Sequence, residues 1–265
     1  MAPYRPTPTV VICLLLHAVA VLGVVLMPAH WAGWLALLAL AQVVLTGCGL
    51  LPRCTLLGPN LNRLPAAAIK RREVALTIDD GPDPEVTPQV LAQLAAAGVK
   101  ATLFCIGWRA RQHPALLRAI VAAGHQVENH GDGHSNAFAF YGPRRIEADL
   151  QAGNATFSEL TGRRPRFFRP TAGLRNPFLD AVLHRLDMRL ASWTRRAYDT
   201  RCGNADTVYH RLTDGLDAGD ILLLHDGHAA RTTDGQPVIL AMLPRLLATL
   251  NERQLKPVTL DAALK

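Results

Sequence analysis

Between Arg5 and Arg53 the chain carries no Asp, Glu, Lys or Arg. Few folds can use such a stretch, because a helix on a soluble protein needs a polar face to meet water. Residues 10–27 are apolar apart from His17, and residues 31–51 are apolar apart from Gln42. Each run is near the ~20 residues that a helix needs to cross a bilayer. Pro28-Ala29-His30 would turn the chain between them, and Trp31 and Trp34 lie where an interfacial aromatic belt is expected. Residues 1–52 therefore read as a membrane anchor made of a transmembrane helical hairpin. Three other readings fit less well. A cleaved signal peptide would have a shorter apolar region and a more basic start. Leu45-Thr46-Gly47-Cys48 resembles a lipoprotein cleavage site, but a complete apolar segment precedes it. A soluble buried hairpin would lack its polar face.

Flanking charge gives an orientation. Arg5 precedes the first segment, and Arg53, Arg63, Lys70, Arg71 and Arg72 follow the second, while the turn has neither Lys nor Arg. The positive-inside rule then puts both ends on the cytoplasmic side of a bacterial inner membrane. Residues 53–72 read as a basic juxtamembrane linker, and 73–265 as one soluble domain. The net charge is +7, with no basic run and no alternation of basic and aromatic residues. That balance favours membrane lipids or an anionic substrate as partners over nucleic acid. Five irregularly spaced cysteines without a CxxC pair argue against a disulfide framework and a structural zinc cluster. Reduced thiols suit the cytoplasmic side.

From residue 73 onward, short apolar runs alternate with helical patterns. Strands are expected over 74–78, 101–106, 126–129, 167–169, 189–192, 221–224 and 257–260. Helices are expected over 84–97, 113–123, 143–161, 177–186, 206–217 and 237–251. Glycine after helices and proline near helix starts mark the boundaries. Alternation of this kind predicts parallel strands, and seven of them with six helices suit an incomplete (β/α) barrel. In such folds functional residues gather where strands end. The first strand runs into Thr77-Ile78-Asp79-Asp80-Gly81-Pro82 and the third into Glu128-Asn129-His130-Gly131-Asp132-Gly133-His134. The fourth ends at Arg169-Pro170-Thr171-Ala172-Gly173, the fifth leads to Trp193 and Asp199, and the sixth ends at Leu224-His225-Asp226-Gly227. Neighbouring side chains point apart, so one of the paired aspartates can bind a metal while the other faces water. His130 and His134, four apart, would share one face of a helical turn. With Asp80 they form a His-His-carboxylate set suited to Zn²⁺ or another divalent transition metal with open positions.

On these motifs the domain resembles the polysaccharide deacetylase family, carbohydrate esterase family four, over roughly residues 73–265. The TIDDGPDP stretch carries most of the likeness. The resemblance implies a distorted seven-stranded (β/α) barrel and one divalent metal, Zn²⁺ first, with Co²⁺, Ni²⁺ or Mn²⁺ as substitutes. It implies Asp79 as general base and Asp80, His130 and His134 as ligands. Arg169 matches the arginine that orients the base, His225 the general acid, and Asp199 the partner of that histidine. A backbone donor near Ala172 and Gly173 would meet the oxyanion, with Trp193 beside the substrate. The chain also departs from the pattern. Ala172 stands where an aromatic usually precedes the glycine, Gly131 replaces a Ser or Thr, and Arg196 and Thr200 replace an aspartate and a tryptophan.

A hairpin anchor and the loss of sugar-stacking aromatics lead to an expected function: removal of an N-acyl group, acetyl first, from a lipid-linked amino sugar. The alternatives are a periplasm-facing peptidoglycan or exopolysaccharide deacetylase and, from another class, a catalytically inactive carbohydrate-binding scaffold. The complete acid, base and ligand set argues against the scaffold.

Overall fold

The apolar N-terminus forms two helices, α1 (Pro8–Leu26) and α2 (Trp31–Leu50), joined by a tight turn at Pro28–His30. The structure, a computed structural model, describes residues 3–265, so the first two residues of the expected 1–52 anchor lie outside the described residues. Thr7 caps α1, and its hydroxyl donates to the carbonyl of Leu56 at 2.6 Å. Gly23 allows the helices to close, because a Cβ there would lie 2.3 Å from the Trp34 ring. Inside the pair, His17 Nδ1 donates to the Cys13 carbonyl at 2.6 Å, which leaves Nε2 to accept from Gln42 at 2.8 Å. The polar side chains His17 and Gln42 thus satisfy each other inside the apolar pair. Large side chains such as Leu15, Leu22, Val25 and Val43 remain exposed on the outer faces. Both helices are long and apolar enough to cross a membrane, with mean hydropathies of 2.8 and 1.8. Near an N-terminus such helices serve as an anchor or as a signal sequence.

The rest of the chain alternates strand and helix after a short α3 (Ala66–Lys70). In order come β1 (Glu73–Asp79), α4 (Thr87–Ala96), β2 (Thr102–Cys105), α5 (Gly107–Gln112), α6 (Pro114–Ala122), β3 (Gln126–Asn129), α7 (Pro143–Thr161) and β4 (Phe167–Phe168). Then follow α8 (Leu179–Arg185), β5 (Arg189–Leu190), β6 (Arg195–Arg196), α9 (Ala205–Thr213), β7 (Ile221–His225), α10 (Val238–Glu252), β8 (Lys256–Val258) and α11 (Leu260–Ala263). The strands make one parallel sheet in the order β5-β4-β3-β2-β1-β7-β6, with β8 also on β1. Every residue of β1 is buried. Val74, Leu76 and Ile78 face the helical layer with Val90, Leu243 and Leu246, while Ala75 faces the interior with Phe104, Phe167 and Leu223. Burial on both faces is why this strand reads as a continuous apolar run.

The seven expected strands are present in the expected (β/α) barrel, and β6 adds an eighth, too short to leave a pattern of its own. The edge strands β5 and β6 do not pair, so the barrel stays open. Leu61 runs beside β5 at that seam: its N–H donates to Leu190 and its carbonyl accepts from Ser192. Residues 53–72, expected as a linker, lie packed on the barrel, with Leu57, Leu64 and Ala68 buried. Three of their basic residues are engaged at its surface. Arg63 pairs with Asp220, Arg71 with Glu73, and Arg72 donates to the carbonyls of Arg253 and Gln254.

Candidate active site

The ends of β1, β3, β4 and β7 meet at one rim, around a cleft of about 450 Å³. Asp79 closes β1 beside Phe104 and His225 in register. Asp80 then takes a positive φ of 77°. Asparagine and aspartate tolerate that region better than other side chains. The turn brings the second carboxylate round to the same cleft, so the two do not point apart as expected. His130 Nε2 lies 3.8 Å from Asp79 Oδ2 and 3.2 Å from Asp80 Oδ1. The close crossing of β1 and β7 requires Gly81, because a Cβ there would sit 2.6 Å from Asp226 Oδ2.

His130 and His134 do come together, with ring centroids 4.8 Å apart. No helical turn joins them, which corrects the expected geometry. Gly131 at φ 86° and His134 at φ 47° make an irregular loop instead. That loop is pinned from α7, where the Asp149 carboxylate accepts the N–H of Asp132 and of Gly133. Asn129 holds its other end, accepting the Gly131 N–H at 2.6 Å and donating to Leu150 and Asn154.

Asp80, His130 and His134 each offer one donor atom, all within 4.8 Å of one another. The Nδ1 of His130 faces the Arg169 carbonyl at 2.7 Å. A carbonyl only accepts, so the proton is on Nδ1 and Nε2 presents a lone pair. That lone pair faces Asp80 Oδ1, a buried oxygen with no hydrogen-bond donor among the described residues. Two facing lone pairs repel unless a cation or an extra proton lies between them. This orphaned oxygen and the two imidazoles fit a divalent transition metal with open coordination positions. Burial alone would push the Asp80 carboxyl up, but the imidazoles of His130, His134 and His228 hold it well below the usual carboxylate range.

Arg169 is fully buried behind the rim, with its guanidinium 4.0 Å from the centre of the Phe104 ring. It donates to Asp79 Oδ1 at 2.7 Å, to Thr77 at 2.9 Å, and to the carbonyls of Ala191 and Ser192. Asp79 is thereby held with Oδ1 occupied. Removing one partner of a buried pair typically costs ~3–5 kcal/mol, so Arg169→Met should lower the unfolding free energy by about that much in a denaturant titration. A loss below about 1 kcal/mol, the scale of a surface pair, would show that the network is not holding Asp79.

His225 at the end of β7 pairs its Nδ1 with Asp199 Oδ1 at 2.8 Å, and its backbone N–H donates to Asp199 Oδ2 at 2.7 Å. Asp199 is fully buried although its chain segment is a loop. Burial pulls the His225 imidazole down, but the Asp199 charge outweighs it and raises the pKa to about 9. The expected residues Ala172, Gly173 and Trp193 line the same cleft. The Gly173 N–H is taken by the Pro170 carbonyl, and Ala172 sits at φ 56°.

Sequence reasoning missed His228, three residues after His225. Its Nδ1 lies 3.2 Å from Asp80 Oδ2, its ring stacks on His134 at 5.9 Å, and its Nε2 lies 3.3 Å from Arg109. Arg109 can only donate, so Nδ1 is the protonated nitrogen and occupies Asp80 Oδ2. The signal available was a fourth imidazole at a strand end. Asp226 was also missed. It is buried, accepts from Thr87 at 2.5 Å and from the Gly227 N–H, and burial pushes its carboxyl up to about 7. Asp80, His134, Ala172, Tyr198 and His228 all hold positive φ. Such conformations cost ~1–3 kcal/mol each and concentrate at functional sites.

Known proteins share this arrangement of elements. The family profile described as polysaccharide deacetylase matches residues 67–191. A peptidoglycan-N-acetylglucosamine deacetylase of Bacillus cereus is 31% identical over 194 residues, which cover 72% of this chain and 88% of the relative. A chitooligosaccharide deacetylase of Sinorhizobium fredii is 31% identical over 199 residues, 73% of this chain and 92% of the relative. The crystal structure of a peptidoglycan N-acetylglucosamine deacetylase is similar at a TM-score of 0.70 and 26% identity, over 77% of this chain and 92% of that one.

Proposed function

Because the chain belongs to the polysaccharide deacetylase family, a family of hydrolases of non-peptide carbon–nitrogen bonds, we propose that it removes an N-acyl group, acetyl first, from an amino sugar. The observation that carries this reading is the juxtaposition of Asp79, held by Arg169, with the Asp80-His130-His134 set and with His225, which is paired to Asp199. Asp80, His130 and His134 would hold the divalent metal, Zn²⁺ first. When bound, that ion supplies Lewis acidity to the acyl carbonyl and to the attacking water. Asp79 turns Oδ2 to the cleft and takes the proton of the water as it attacks. The N–H of Ala172, at the turn beside Gly173, is the backbone donor for the developing oxyanion. His225 gives its proton to the nitrogen, since an amine leaves poorly unless protonated, and Asp199 stabilises the imidazolium left in waiting. Trp193 forms the apolar wall against the sugar. His228, fixed by Arg109, keeps Asp80 Oδ2 occupied, so that Oδ1 would be the oxygen free to hold the ion.

The substrate we favour is membrane-borne. The support is the hairpin, whose exposed apolar faces demand lipid, and the position of the cleft beside its end. A Cβ on Gly173 would lie 2.8 Å from Pro52, two residues beyond α2. Tethering raises the effective concentration of a lipid-linked sugar and does little for a diffusing polymer. Flanking charge favours a cytoplasmic catalytic domain at the inner membrane, although Arg63, Arg71 and Arg72, exposed at the barrel surface, already pair with Asp220, Glu73 and the carbonyls of Arg253 and Gln254. The second reading is a periplasm-facing peptidoglycan deacetylase, favoured by the substrate of the Bacillus cereus relative. Purified full-length chain assayed on chitin oligomers and on an extracted lipid-linked N-acetylated amino sugar, at equal acyl concentration, separates the two. We expect faster acetate release from the lipid-linked sugar. Faster release from the oligomers, unchanged when residues 1–51 are removed, would overturn it.

A further inference from the structure

A second cavity, of about 590 Å³, lies where the hairpin meets the barrel. One wall is the spanning pair, with Val10, Leu14, Leu45 and Leu50. The other is the loop pair carrying Phe140 and Phe178. Phe140 is 89% exposed and Phe178 51%. Single exposed phenylalanines are ordinary, but these two stand alongside the first turns of α1. The lining runs from Val10 to His17, a rise of roughly 10 Å along a helix, which puts the groove below the surface of a bilayer that the hairpin spans. Lipid chains, and not water, would meet these rings.

The same groove carries a buried cation. Arg175 is only 4% exposed, and its Nη2 donates to the Cys54 carbonyl. Its Nε finds no acceptor among the described residues, and it belongs to none of their ion pairs. The nearby Asp180 attracts the Arg175 charge through space, but its carboxylate is hydrogen-bonded by Tyr4 and forms no direct ion pair with the guanidinium among the described residues. A buried guanidinium is costly unless an anion answers it. The Arg175 backbone N–H donates to the carbonyl of Gly49, where a Cβ would lie 2.3 Å from the Arg175 carbonyl, so the charge is fixed at the end of α2. The loop that carries Arg175 also carries Thr171, Ala172 and Gly173 of the catalytic cleft. Two residues of chain reach at most ~7 Å, about the span of one sugar residue.

We propose that this groove holds the hydrocarbon chain of a lipid phosphate, with Arg175 on the phosphate and the sugar head delivered to the catalytic cleft. The inference rests on the membrane-borne reading above and adds to it the place and the charge of the lipid.

The test uses the full chain in phosphatidylcholine nanodiscs, titrated with farnesyl phosphate, farnesol or inorganic phosphate. Farnesyl phosphate should bind one per chain. Farnesol should bind about ten- to hundredfold more weakly, the range that a charge-assisted hydrogen bond supports, and inorganic phosphate more weakly still. Arg175→Met should erase the preference for the phosphate over the alcohol. Thr46→Trp, at an exposed position in the groove, keeps the test valid if the arginine variant fails to fold. It should weaken farnesyl phosphate by a similar factor and leave acetate release from chitin oligomers unchanged. Equal binding of farnesyl phosphate and farnesol, or full binding by Thr46→Trp, would overturn the proposal. Turnover of a lipid-linked amino sugar unaffected by Thr46→Trp would remove the groove and keep the substrate. Lipid phosphate binding without such turnover would keep the groove and remove the substrate.

Discussion

Asp79→Asn should retain its metal and lose turnover by about 10²–10⁴-fold, the usual contribution of a general base. Asp79 Oδ1 is occupied by Arg169, and its Oδ2 faces the cleft. In the variant, the amide oxygen is the only atom that can accept from Arg169. The amide nitrogen must then face the water, and it is a donor where an acceptor is required. The change is nearly isosteric, and Asp79 is not among the three converging donor atoms, so bound metal should stay at the wild-type level. Metal content by atomic absorption and kcat on the same preparation check both halves. Turnover within a few-fold of wild type would remove Asp79 as the base.

Loss of His225 should be as large for an amide and much smaller for an activated acetate ester. An amine needs a proton to leave, whereas a phenolate does not, so His225→Ala should cost about 10²–10⁴-fold on the sugar and spare an aryl acetate. Equal losses on both would assign His225 to something other than proton donation. The pH profile gives an independent check with a fixed sign. Asp199 raises the folded-state pKa of His225 to about 9, so the acid form persists through neutrality and is lost as pH rises through that value. Part of the rise comes from Asp79 and Asp80, and a bound cation would offset that part, so the alkaline limb falls at or below about 9. Asp199→Asn leaves burial as the main influence, and burial lowers the pKa of an imidazole. The alkaline limb should then move toward acid. The same linkage makes the His225–Asp199 pair stabilising below the unfolded pKa of about 6.5 and progressively less so as pH rises toward 9.

Legibility from the sequence followed the strength of each local signal. The runs of β1 and β7 are long and apolar because both faces are buried, and they placed Asp79 and His225 at strand ends directly. Glycine and proline punctuation located the intervening helices. β6, at two residues, is held by its neighbour β7 and leaves no periodicity. The loop from His130 to His134 could not be read as irregular, because its shape comes from Asp149 on α7, a contact across the fold. His228 escaped for a related reason. Its approach to Asp80 depends on a positive φ and on Arg109, neither of which sequence spacing reveals. The basic residues after the hairpin suggested a juxtamembrane linker, but pairing with the buried carboxylates Asp220 and Glu73 holds Arg63 and Arg71 against the barrel surface.

Metal-dependent acyl hydrolysis at the cleft between Asp79, the Asp80-His130-His134 set and His225 is tested by a chelation and reconstitution series on the full chain in detergent. Acetate and free amine are followed together on a lipid-linked N-acetylated amino sugar and on chitin oligomers. Chelation should abolish release, about one equivalent of Zn²⁺ per chain should restore it, and His130→Ala and His134→Ala should neither retain the ion nor recover. Acetate release that survives complete removal of metal, or no release from either substrate by metal-replete protein, would contradict metal-dependent acyl hydrolysis at the cleft.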